Sequence, residues 1–420
     1  MPATVQTVRF FLVGLLLPTL FAVLPAPLDR AQAQATCSCP AGFPNYNPGT
    51  NTCNSGYPTF ATRLLACRSN FSSIGLTAAG LQQNSFSAVA GELQTIRNGA
   101  QGNNPSSTRS GISGYSPANF DETFDLLGYS SNAQPKNPLT YLKAPPAAPA
   151  VDTGPKWAVW SEGFGDWERR SPLNADDIGR RQTIGGAHLG FDGVWQNTLT
   201  SGDFVVGGLL GSWMKATVNF AGLPASFTLE GPGVGLYSMY ILGPFSADLT
   251  AKVDFLRLAE DFGGFLPDAS ADVTNAGLAG NLQYKNKFGP TAYVEPTVGF
   301  SMTRTMFGDN AALLGLKDAS VVRVQGGARL GNTFEVNGIT VEPILGLLLY
   351  SNVVAEGTSI ATTPIALPIA PTDQGLLRGE VDPELNVDFN NGYSAYLRGV
   401  FRFGSEMFGA NAKLGIRKQF

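Results

Sequence analysis

The run Phe245-Ser-Ala-Asp-Leu-Thr-Ala-Lys-Val-Asp-Phe255 decides the fold class. Its odd positions, Phe245, Ala247, Leu249, Ala251, Val253 and Phe255, are apolar, while its even positions include Asp248, Thr250, Lys252 and Asp254. A period of two puts these sets on opposite faces of an extended strand, whereas a period of 3.6 would mix them. The same alternation recurs on either side. Val381, Pro383, Leu385, Val387 and Phe389 alternate with Glu380, Asp382, Glu384, Asn386 and Asp388. Val322, Val324, Ala328, Leu330 and Phe334 alternate with Arg323, Gln325, Arg329 and Glu335. The spacing predicts twelve strands, near 156–168, 181–196, 203–215, 228–242, 244–257, 271–287, 290–304, 320–336, 339–353, 376–389, 393–403 and 407–420. The third and ninth are less clean, since Leu347-Leu348-Leu349 puts leucine on both faces.

Composition agrees with a sheet whose alternate residues meet lipid. Only 14% of the 420 residues are charged, against about a quarter in soluble domains, and 50 are glycine. A mean hydropathy of +0.02 excludes a bundle of long apolar helices. Strands this long exceed the usual five or six residues of a soluble sandwich and suit a tilted membrane crossing with overhang. Connections alternate short (197–202, Gly243-Pro244, Gly289-Pro290, Asn337-Gly338, Asn390-Asn391-Gly392) and long (169–180, 216–227, 258–270, 305–319, 354–375). Tight periplasmic turns and longer outer loops have this rhythm, and only Gly404-Ser405-Glu406 breaks it by being short. The expected fold is therefore all-β, a twelve-stranded antiparallel transmembrane barrel over 156–420. Trp157, Trp167, Trp195, Trp213, Tyr350, Tyr393, Phe403 and Phe420 lie near strand ends, as interfacial girdles require.

The first 155 residues read differently. Arg9, the apolar run Phe10 to Leu24 and the small residues Ala31-Gln-Ala-Gln-Ala35 form an export signal over 1–35. Residues 36–118 hold Cys37, Cys39, Cys53 and Cys67, candidates for disulfides in an oxidising compartment, with three possible pairings. Phe86, Val89, Leu93 and Ile96 predict a helix over 77–98. Residues 119–155 combine a short helical stretch with an Ala144-Pro-Pro-Ala linker. The net charge of −4 argues against a nucleic-acid partner. A single histidine, His188, argues against histidine metal sites and histidine-based triads, so neither cofactor nor enzyme activity is expected.

Trp160-Ser-Glu-Gly-Phe-Gly-Asp-Trp167, Gly185-Gly-Ala-His-Leu-Gly-Phe-Asp192, Tyr293-Val-Glu-Pro-Thr297 and Arg323 to Gly331 appear in order. Together they resemble the first, second, seventh and eighth strands of the autotransporter β-domain family of bacterial outer-membrane proteins. The closing strand, with Phe408, Leu414, Ile416 and terminal Phe420, resembles the assembly signal shared by outer-membrane barrels. The resemblance implies a monomeric barrel in a Gram-negative outer membrane that assists passage of an N-terminal passenger. It also implies partners in membrane lipid, periplasmic chaperones and the barrel assembly machinery. Here the passenger is unusually short and shows no catalytic motif.

With apolar faces on lipid, the opposite parity lines the lumen: His188, Asp192, Asp248, Lys252, Asp254, Glu295, Arg323, Arg329, Glu342, Glu380, Asp382, Glu384, Asp388, Arg398, Arg402, Lys413 and Arg417. A three-residue Asn390-Asn391-Gly392 loop pairs Phe389 with Tyr393 and needs Gly392 in the left-handed region. That register sets Glu384 opposite Arg398 and Glu380 opposite Arg402, which predicts two cross-strand ion pairs. Such a lumen can conduct as a porin-like pore beneath an N-terminal cap, or hold a polar helix as a plug. Residues 77–98 and the nearer 119–128 are the two candidates for the plug.

Overall fold

The computed structural model describes residues 46–47, 52–53, 60–101, 155–172, 179–222, 225–261, 269–308, 318–356 and 375–420. Twelve antiparallel strands form the barrel: β1 Lys156–Arg170, β2 Arg180–Gln196, β3 Asp203–Phe220, β4 Ser226–Leu242, β5 Phe245–Asp261, β6 Ala269–Tyr284, β7 Ala292–Phe307, β8 Ala319–Asn332, β9 Ile339–Glu356, β10 Leu377–Asp388, β11 Tyr393–Phe403 and β12 Met407–Gln419. Breaks at Lys285 and Thr333 set off Asn286–Lys287 and Phe334–Val336, where single long strands over 271–287 and 320–336 were expected. Each strand pairs with its sequence neighbour, and β12 pairs with β1 in the register Ala412↔Gly165. Closure therefore removes every sheet edge, the condition for backbone polar groups at membrane depth.

At the seam Phe420 N donates to Trp157 O at 2.9 Å. Phe408, Leu414, Ile416 and Phe420 all face outward, 51%, 61%, 58% and 66% exposed. Trp157, Trp167, Trp195, Trp213, Tyr393 and Phe403 share that outer surface. Trp157 stacks on Phe191 with ring centroids 5.3 Å apart. Tyr350 corrects the girdle assignment. It is inward and buried, under the Arg323 guanidinium at 3.6 Å.

Inward aromatics follow a rule of their own. Trp160, Tyr237, Tyr293 and Tyr396 are each paired across the ladder with a glycine: Gly190, Gly208, Gly331 and Gly415. A Cβ on any of these glycines would stand 2.2–2.3 Å from the aromatic ring. The ring occupies the space a side chain would fill, so these glycines make room for aromatics laid flat on the wall.

The helix α1, Phe60–Ala100, is longer than the expected 77–98. The apolar spacing starts to show only where helix meets wall, yet residues 60–76 contain no proline and continue the helix. Its 41 residues span about 60 Å, and from Ser73 onward its side chains are largely buried inside the barrel. Ile74, Ala78 and Leu81 pack on Ile184, Met214, Val218, Phe227, Leu229 and Leu258. Lower down, Ala88, Val89, Leu93 and Ile96 pack on Val206, Leu210, Met239 and Ile241. The inner wall is thus apolar on β3 and β4, which carry apolar residues on both faces, and polar around β7–β12. Each fully buried leucine or isoleucine contributes about 1.5–3 kcal/mol, so this arc seats the helix.

The signal segment 1–35, residues 119–128 and the 144–151 linker lie outside the described residues. So do the side chains of the four cysteines, although Cys53 pairs with Tyr46 in a two-residue ladder and Cys67 lies within α1.

Candidate functional site

The candidate site is the lumen with α1 inside it. Strand alternation aims the wall groups inward, and the polar side of the helix meets them in three tiers. In the upper tier Thr77 Oγ1 donates to Gln182 Oε1 at 2.9 Å. Gln82 Nε2 donates to Asn275 O at 2.8 Å and to Lys252 O at 3.2 Å, while Asn275 Nδ2 donates to Ala78 O at 2.9 Å. Gly277 makes this possible, since a Cβ there would fall on Gln82. Lys252 and Asp254 pair with each other nearby.

The middle tier contains the lone histidine. His188 Nε2 lies 3.0 Å from Ser85 Oγ and Nδ1 3.2 Å from Glu162 Oε1. Glu162 also accepts from Tyr396 OH at 2.6 Å, and Phe164 stacks on the His188 ring at 5.1 Å. Lys413 Nζ donates to the Asn84 carbonyl at 3.0 Å, and Asn84 Nδ2 donates to Asp166 at 3.1 Å. The order Ser85–His188–Glu162 is that of a hydroxyl, a base and an orienting acid. The Ser85 hydroxyl also lies 3.4 Å from Met214 Sδ and is buried between helix and wall. Here the relay ties helix to barrel.

In the lower tier Arg417 grips Asp192 through two bonds of 2.7 and 2.9 Å and also holds Glu92 of the helix. Asp192 accepts from Tyr237 OH at 3.0 Å, and Tyr237 accepts from Trp160 Nε1 at 2.7 Å. Arg97 reaches Glu295 at 2.7 Å, with Arg329 3.3 Å from the same carboxylate. Asn98 bridges Glu342 at 2.5 Å and Lys285 at 2.6 Å. Asp248 is held within the wall by Asn281 and Gln283, each at 2.8 Å. Asp388 accepts from Asn390 N at 2.9 Å and caps the β10–β11 turn.

That turn has the expected form. Phe389 N donates to Tyr393 O at 3.0 Å, Gly392 has φ +81°, and the register sets Glu384 opposite Arg398 and Glu380 opposite Arg402. The ion pairs divide. Arg398 lies 3.8 Å from Glu384 but closer to Asp382, at 2.6 Å. Arg402 turns away from Glu380 toward Asp166 and Glu168 on β1, leaving Glu380 to Arg323 at 3.3 Å. The reason is Gly409, which stands between Arg402 and Glu168 in the same row. With no side chain in between, the guanidinium reaches across β12 to two carboxylates. Between helix and polar wall remain cavities of about 60 to 70 Å³, lined by groups such as Gln83, Ser87, Asp166 and Arg398. They are sized for water, not for a channel.

The sequence reading missed Glu162, Asp166 and Glu168 on β1, and Ser85, Glu92 and Arg97 on α1. The β1 acids share the parity of Trp160 and Phe164, so aromatics on their own face hide the alternation that would reveal them.

The model of the autotransporter beta-domain family matches residues 159–400, more than half of the chain. Among solved structures, the beta domain of the Bordetella autotransporter BrkA is similar, with a TM-score of 0.50 at 17% identity, over 62% of this chain and 98% of that one. The transport unit of the autotransporter AIDA-I from Escherichia coli gives a TM-score of 0.46 at 14% identity, over 63% of this chain and 90% of that one. The translocator domain of NalP from Neisseria meningitidis gives 0.46 at 9% identity, over 64% and 90%. No curated protein matches the chain. The chain belongs to the autotransporter beta-domain family, and its twelve-stranded barrel is of the translocator type found in Gram-negative outer membranes.

Proposed function

We propose that the barrel anchors the residues preceding α1 at the cell surface, with α1 as both tether and plug. The direction of the helix carries this reading. Its Thr77 end meets Gln182 below the long connections, and Gly75 lies against Ala319 at the same rim. Its other end meets the short turns, where Gln101 Nε2 donates to Gly243 O at 2.9 Å. Long connections face outward in such barrels. The chain therefore enters α1 from the outer rim, while the end of α1 and the start of β1 both lie at the periplasmic rim. The lumen groups act structurally and not in a reaction, most of their ions being paired by helix or wall. Assembly through periplasmic chaperones and the barrel machinery, acting on the closing strand β12, belongs to the same reading.

An epitope inserted between Ala35 and Thr36 tests it. Antibody should bind intact cells. Binding only after the outer membrane is permeabilised would contradict surface display and favour a periplasmic cap over a pore.

A further inference from the structure

Above the upper aromatics Trp167, Trp213 and Phe255, the outward face of β1–β7 carries Arg169, Arg181, Lys215, Arg257 and Arg304. Three of these cations are balanced on the wall itself. Lys215 lies 2.9 Å from Glu230, Arg304 lies 3.3 Å from Asp318, and Arg257 stands in register between Glu230 and Asp272. Arg169 and Arg181 are arranged differently. They are exposed cross-strand partners of one another, flanked in their row by Phe408 and Asn219. The row beneath is Ala410, Trp167, Thr183 and Thr217. Among the described residues none of these eight positions is a carboxylate, and the nearest one in the upper row is Asp261, three strands beyond Arg181. Like charges directly opposite on one sheet face repel, and an anion between them relieves that repulsion. At this rim opens a cavity of about 420 Å³ lined by both arginines together with Arg170, Arg180 and Asn219.

We propose that Arg169 and Arg181 clamp a phosphate of a phosphorylated glycolipid in the outer leaflet. Guanidinium forks match phosphate oxygens in shape and charge. Both arginines stand one inter-row step, roughly 7 Å, above Trp167, whose ring packs edge-on against Phe408 at 6.2 Å. Phosphate at the arginines leaves acyl chains lying along these aromatics and Ala410, so the clamp spans headgroup and hydrocarbon. The proposal rests on the orientation argued above, with the long connections outside.

Full-length protein purified in detergent can be titrated separately with bis-phosphorylated lipid A, dephosphorylated lipid A and inorganic phosphate, with bound lipid read by native mass spectrometry. Wild type should prefer the bis-phosphorylated lipid, and Arg169→Gln/Arg181→Gln should bind it roughly tenfold more weakly. Arg257→Gln, from a balanced site, should bind as wild type does. Heat-modifiable migration reports folding, and Arg169→Lys/Arg181→Lys, which keeps charge but loses the fork, replaces the glutamine variant should that fail to fold. It is expected to bind more weakly than wild type. Equal binding by wild type and variant, or equal binding of both lipids, overturns the clamp. Inorganic phosphate bound as tightly as the lipid overturns the lipid assignment. Failure here with the epitope still surface-exposed removes the clamp and leaves the display reading intact.

Discussion

Arg417→Met is expected to destabilise the folded barrel by about 3–5 kcal/mol, the cost of removing one partner from a buried charge cluster. Arg417 is 5% exposed and joins β12 to Asp192 of β2 and to Glu92 of the helix. Its loss leaves two carboxylates in the wall–helix interface, one of them still held by Tyr237 at 3.0 Å. The measurement is the temperature at which the heat-modifiable form is lost, which should fall clearly below that of wild type. Arg417→Met/Glu92→Gln should recover part of the loss, because one of the stranded charges is then gone. A single variant as stable as wild type would mean that the lumen ions do not hold the helix.

Deleting residues 73–101 should turn a closed barrel into a conducting one. The wall ions are largely self-sufficient. Glu295 keeps Arg329, Arg417 keeps Asp192, Arg398 keeps Asp382, Arg402 keeps Asp166 and Glu162 keeps His188. The barrel should therefore fold without α1, with lower stability because the apolar arc of β3 and β4 then faces water. Removing a helix of roughly 10 Å diameter leaves a passage wide enough for hydrated ions, lined by charge around β7–β12. In planar bilayers the full chain should stay closed for most of the recording, and the deletion should conduct continuously. Similar conductance from both would mean that α1 does not plug the barrel.

The barrel was legible because lipid enforces alternation. Strands whose inner face is polar without inward aromatics, such as 380–389, show their parity in sequence, and the Asn390-Asn391-Gly392 turn then fixes the register to the residue. The signal fades where helix replaces water. Val206, Leu210, Met214 and Val218 of β3 are buried against α1 or beside the residues it touches, so both faces of that strand are apolar and parity disappears. The same coupling shaped the plug. Residues 77–98 look polar as a whole, yet Ala78, Leu81, Leu93 and Ile96 form the side that meets this apolar arc. Ion-pair choice lies beyond parity altogether. Arg402 abandons its cross-strand partner because Gly409 leaves the path to β1 open, a relation across three strands that local pattern does not carry.

The central claim is that α1 lies in the lumen with its N-terminal end toward the outer rim. Cysteine cross-linking tests it directly, in a chain with Cys37, Cys39, Cys53 and Cys67 replaced by serine. Thr77→Cys with Gln182→Cys, and Asn98→Cys with Glu342→Cys, should each be joined by a short dithiol reagent in intact outer membranes. Thr77→Cys with Glu342→Cys should not be, since Thr77 stands about 30 Å up the helix axis from Asn98. Cross-linking of that last pair, or of none, would contradict the account.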